Sequence, residues 1–159
     1  MATENISKQV DFSVVTEPWG QTVTFVKVAK TIDIQVGKML HVEVDGKEIL
    51  IANVEGKFYA VSDRCGHENA RLSTGTLAGT IVICPFHYSR FDVTTGKLIS
   101  GPILEGSEVA KILAKVPAEV QKGLTPILKH TGENQSLIKT YDLPVYKLKV
   151  DGSDLLVQL

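Results

Sequence analysis

The sequence predicts a mostly β fold, an antiparallel sandwich or small barrel carrying one helical insertion. Three observations predict it. Short runs of alternating or β-branched residues recur along the chain. Two-residue turn signals separate them: Asp45-Gly46, Glu55-Gly56, Thr95-Gly96 and Asp151-Gly152. Such tight local turns join antiparallel neighbours and leave no room for parallel crossovers. Only residues 103–140 lose the two-residue rhythm.

Residues 1–20 read as an N-terminal arm, polar at first and ending in FSVVTEPWG. Trp19, the single tryptophan, is expected to pack this arm onto the domain, with an interface role as the other reading. The domain proper spans 21–159. TVTFVKVAK alternates, and MLHVEV sets Leu40, Val42 and Val44 on one face with His41 and Glu43 on the other, so His41 is expected in solvent. KEILIANV and KFYAVSD come next, joined across the Glu55-Gly56 turn. TIVIC is a further short strand, SRFDV and KLIS a hairpin, and YKLKV with DLLVQL the last one.

Within 103–140, Ser107 can cap a helix. Val109, Ile112, Leu113 and Val116 then fall on one helical face, with Glu108, Lys111 and Lys115 off it. Pro117 ends this helix or opens a second one, which Gly123 closes. This mostly helical insertion is either a decoration packed on the sheet or a docking element, and its apolar stripe needs burial in both cases.

At 159 residues the chain is long enough for one domain with a sizeable core, and 43% apolar with 22% charged residues is ordinary for a globular protein. A net charge of −1 gives no electrostatic reason for nucleic acid or an anionic membrane as partner. The N-terminus reads as neither a basic nor an apolar leader, and no apolar run approaches the roughly 18 residues of a membrane span. A cytoplasmic address is expected, since two cysteines do not make a secreted disulfide scaffold.

Those two cysteines each have a histidine close behind: Cys65-Gly66-His67 and Cys84-Pro85-Phe86-His87. Both pairs fall at the end of a strand, with glycine or proline inside, which suits tight loops presenting two side chains in one direction. A Cys₂His₂ set is also a structural zinc set, but zinc-finger spacing groups cysteine with cysteine and histidine with histidine. One thiolate and one imidazole per loop suits a Rieske [2Fe–2S] centre, in which two histidines replace two cysteines on one iron.

CGH, CPFHYSRFDVTTGKLISGP and the closing LPVYKLKVDGSDLLVQL make the chain resemble the Rieske family, specifically its soluble ferredoxins and the small subunit of assimilatory nitrite reductase. The resemblance implies a Rieske-type antiparallel β-sandwich with two cluster-binding loops and one [2Fe–2S] cluster per chain. Cys65 and Cys84 would bind one iron, and His67 and His87 the other, near the surface. Around them, Gly66, Pro85, Ser89, Phe91, Gly101 and Pro102 would shape the site, with Gly101-Pro102 resembling the loop that covers the cluster. High-potential members carry an extra disulfide pair where Ala70 and Phe86 stand, and a tyrosine where Phe91 stands. Only the serine is kept, as Ser89. The implied potential therefore lies in the lower or middle part of the family's range of about −150 to +300 mV.

The implied function is a one-electron carrier between a reductase and a terminal oxygenase or reductase. The alternatives are a cluster-bearing small subunit of a larger redox enzyme, nitrite reductase-like, a redox sensor, and a structural Cys₂His₂ zinc domain. Oligomeric state is open. A Rieske oxygenase would need a further mononuclear iron bound by two histidines and a carboxylate. Only His41 and His130 remain for it, in unrelated segments, and both read as surface residues. Arg90 and Asp92 read as a structural ion pair or hydrogen-bonding residues.

Overall fold

The computed structural model describes residues 12–16, 18–102 and 139–159. The expected helical insertion and His130 lie outside the described residues, save Lys139 and Thr140. The described chain forms three four-stranded antiparallel sheets.

The first sheet contains β1 (Phe12–Thr16), β2 (Thr22–Lys30), β11 (Leu148–Asp151) and β12 (Asp154–Gln158), in the order β1-β2-β12-β11. The second contains β3 (Met39–Val44), β4 (Lys47–Val54), β5 (Lys57–Ser62) and β10 (Val145–Tyr146), ordered β10-β5-β4-β3. The third is small: β6 (Thr76–Ala78), β7 (Ile81–Ile83), β8 (Arg90–Asp92) and β9 (Leu98–Ser100), in sequence order. Asp45 and Glu55 sit in the left-handed region with the adjoining Gly46 and Gly56, as tight hairpin turns require.

β4 shows why there are three layers. Residues 49–53 are buried without interruption, whereas a strand with one wet face alternates. Ile49 and Ile51 face a core shared with Ala60, Leu155 and Val157, against the first sheet. Leu50 and Ala52 face the opposite way, into a core with Val61, Val82, Phe91 and Val93, against the third sheet. Cys65 and Cys84 belong to this second core. The site thus stands on the middle sheet and is roofed by the smallest one.

Two expectations need correction. Trp19 does not anchor the arm: it is 72% exposed, and the arm is held instead by β1, which pairs with β2 from Phe12↔Val26 to Thr16↔Thr22. Backbone hydrogen bonding does the holding that a large side chain was expected to do. His41 is not simply solvated either. Alternation puts it on the polar face of β3, but that face is covered by the turn Leu72–Thr74, and its ring meets the buried Asp63.

Candidate metal centre

Two loops make the site. The first leaves the end of β5 and the second joins β7 to β8. They share one hydrogen-bond frame. Cys65 donates its amide N–H to the Ala70 carbonyl at 2.9 Å and accepts from Asn69 N–H at 3.0 Å. Cys84 donates to the Ser89 carbonyl at 2.9 Å and accepts from Tyr88 N–H at 3.2 Å. Each loop therefore closes over its cysteine by the same i+4 and i+5 bonds, and in each the i+4 residue is left-handed: Asn69 at φ 54°, Tyr88 at φ 59°. The strand pairing Thr76↔Ile83 then brings the loops together. Gly75 permits this, because a side chain there would strike the Ile83 carbonyl and press on Pro85.

The neck of the first loop is braced on both sides. Arg64 and Arg71 pair across it and both reach Glu48, the Arg71 contact at 3.2 Å. Arg64 also donates to the Asn69 carbonyl at 2.9 Å. Inside, the Asp63 carboxylate accepts from Ser73 N–H at 2.6 Å and Ser73 Oγ at 2.7 Å, and lies 2.6 Å from His41 Nδ1. A carboxylate with no solvent exposure needs such partners to remain in the core. His41, Asp63 and Ser73 were invisible as a group in the sequence. The positions were ordinary, and only the return of the chain through Leu72–Thr74 joins them.

Cys65 and Cys84 are both free and almost fully buried. The two thiols act on one another: their contact pushes the Cys84 thiol down to about 6 and, with burial, pushes Cys65 up. Backbone N–H groups of His67 and Glu68 aim at the Cys65 sulfur, and those of Phe86 and His87 at the Cys84 sulfur. Four donors thus favour negative charge on the sulfurs.

His67 and His87 meet edge to face, ring centroids 5.1 Å apart. Here the expectation of two surface histidines divides. His87 keeps 22% of its side chain in solvent, while His67 is buried behind it. Both ring nitrogens of His67 are buried without a protein hydrogen-bond partner, and so is Ser89 Oγ. An orphaned buried polar atom costs about 1–3 kcal/mol, so these groups require a partner from outside the polypeptide. Two buried thiols, a buried imidazole with unpartnered nitrogens and a partly exposed imidazole form a donor set that fits a metal–sulfur group.

The other residues expected around the site are spread more widely. Phe91 is fully buried in the core and brings no hydroxyl to the site. Ala70 is buried beside the thiols, while Phe86 is 64% exposed. Gly101 is exposed with open space around it. The segment that lies on the first loop is Tyr141, whose N–H donates to the Gly66 carbonyl at 3.0 Å. Asp92 accepts from Thr94 N–H at 2.7 Å and shapes the turn toward Gly96.

The family model for the Rieske [2Fe-2S] domain matches residues 24–121. The chain belongs to the Rieske [2Fe-2S] domain family. It is 42% identical over 84 residues to the ferredoxin component of the naphthalene 1,2-dioxygenase system of Pseudomonas putida, covering 53% of this chain and 81% of that one. It is 38% identical over 90 residues to the biphenyl dioxygenase ferredoxin subunit of Pseudomonas sp. strain KKS102, covering 56% and 83%. Among solved structures, a chain in the complex of reduced oxygenase and oxidized ferredoxin in carbazole 1,9a-dioxygenase superposes with a TM-score of 0.57 at 27% identity, covering 82% of this chain and 98% of that one. The ferredoxin of carbazole 1,9a-dioxygenase from Nocardioides aromaticivorans IC177 shares the fold, with a TM-score of 0.59 at 24% identity over 84% and 95% of the two chains.

This Rieske domain therefore carries a [2Fe–2S] cluster, and its work is one-electron transfer. No helix among the described residues is long and apolar enough to cross a membrane.

Proposed function

We propose that this protein is the ferredoxin of an oxygenase system, taking single electrons from a reductase and delivering them to a terminal oxygenase that acts on an aromatic compound. In this reading Cys65 and Cys84 hold one iron as thiolates in the dry core, and His67 and His87 hold the other at the rim. When bound, the cluster supplies a site for one electron and nothing else.

The observation that carries the reading is the asymmetry of the four side chains. Three are buried and His87 alone reaches solvent, between the exposed rings of Phe86 and Tyr88. Phe86 lies 6.1 Å from His87 between ring centroids. A partly exposed imidazole set among exposed aromatics gives an electron a short way out and gives a partner an apolar patch to cover. The relatives that are ferredoxin components of dioxygenase systems support the choice of acceptor. Two free cysteines support a cytoplasmic address.

The test is spectroscopic, then functional. Anaerobically purified protein should contain two irons and two sulfides per chain and give a reduced-state EPR signal of low average g. Cys84→Ser and His87→Ala should each abolish that signal. The loaded protein should then restore turnover when mixed with a ferredoxin-dependent reductase and an aromatic-ring oxygenase. A colourless protein binding one zinc would overturn the reading.

A further inference from the structure

The sequence places a carboxylate, Glu68, directly after His67, and the fold turns it toward the other histidine. Glu68 Oε2 lies 3.4 Å from His87 Nδ1. One Glu68 oxygen and one ring nitrogen each from His67 and His87 all lie within 4.8 Å of one another. The two guanidinium groups of the same loop, Arg64 and Arg71, turn to Glu48. Among the described residues, the charged side chain that meets the histidine pair is thus a carboxylate.

We infer that Glu68 sets the reduction potential of this protein, holding it lower than the four ligands alone would. This deepens the proposed function and rests on His67 and His87 being the ligands of the outer iron. The physical reason is Coulombic. Reduction adds one electron to the centre, with no bond made or broken and no proton required. The oxidised state is more positive by one charge, so a fixed carboxylate beside the histidines stabilises it more than the reduced state. The side chain of Glu68 is 34% exposed, so the effect is partly screened and falls with ionic strength. A more strongly reducing carrier hands its electron on with greater driving force, which makes Glu68 a determinant of which acceptors this protein can serve.

The experiment measures midpoint potentials of the reconstituted wild type, Glu68→Gln and Glu68→Lys near neutral pH, at low and high salt. Glu55→Gln is the control: Glu55 lies in the β4–β5 turn, at the opposite end of β5 from the first loop, roughly 20 Å away at the usual rise per residue. EPR spectra of all variants establish that the centre itself is unchanged. The expected result is an upward shift for Glu68→Gln, a larger one for Glu68→Lys, a smaller span at high salt, and no shift for Glu55→Gln. A Glu68→Gln potential equal to wild type at low salt, with an intact Rieske signal, overturns this inference alone. An equal shift from Glu55→Gln also overturns it, because net charge would then explain the change. A wild type without a Rieske signal overturns the ligand reading and this inference with it.

Discussion

Tyr141 lays its backbone along Gly66, donating its N–H to the Gly66 carbonyl at 3.0 Å and placing its own carbonyl where a Gly66 side chain would begin. The first loop is thereby strapped by a segment distant in sequence. Neighbouring bonds continue the strap: Leu143 N–H to the Gly96 carbonyl at 2.7 Å, and Ser62 N–H to the Pro144 carbonyl at 2.8 Å. Gly66→Ala must displace that backbone. The expected outcome is a loss of about 1–3 kcal/mol, the usual range for overpacking, with iron released faster on chelator challenge. Thermal unfolding and absorbance under chelator measure both.

Asn69 and Tyr88 occupy equivalent left-handed positions in the two loops. Asparagine adopts that conformation readily, whereas tyrosine adopts it at a cost. Tyr88→Asn is therefore expected to stabilise the fold by up to about 1 kcal/mol and to leave the EPR signal unchanged. Electron delivery to the oxygenase should slow, since an exposed aromatic beside His87 is lost. Thermal melts and steady-state turnover at limiting ferredoxin test the two halves separately.

Ser89 is fully buried with an unpartnered hydroxyl. A hydrogen bond from it to a cluster sulfur would favour the more negative, reduced state. Ser89→Ala is expected to lower the midpoint potential by about 60 mV, which corresponds to a bond worth ~1.4 kcal/mol for one electron. An unshifted potential would show that the hydroxyl is spent elsewhere.

Arg64, with help from Arg71, holds the Glu48 carboxyl below its ordinary value of 4.5. A depressed folded-state pKa means that the contribution of the pair is complete above the unfolded value. It is lost as pH falls through the folded one. The brace on the first loop is therefore expected to hold at neutral pH and to fail below pH 4.5. Glu48→Gln should release iron faster than wild type at neutral pH and differ from it less in acid, as monitored by visible absorbance.

Much of this protein was legible in its sequence because its signals are local. Asp45-Gly46, Glu55-Gly56 and Asp151-Gly152 each specify a turn without reference to distant residues, so the hairpins they join could be read directly. The two cysteine–histidine pairs were legible for the same reason: loop chemistry requires particular residue types at fixed spacing. Long-range contacts decided the rest. Whether a polar strand face meets water depends on what crosses it, so His41 read as solvated although Asp63 waits beneath it. The run ILIAN in β4 is apolar enough for a strand or a buried helix segment, and only two further sheets, one on each side, make it the middle of three layers. The burial of His67 and the partial exposure of His87 belong to the same class. Their spacing in the chain is nearly alike, but tertiary packing places one ring behind the other and leaves a single edge to face a partner.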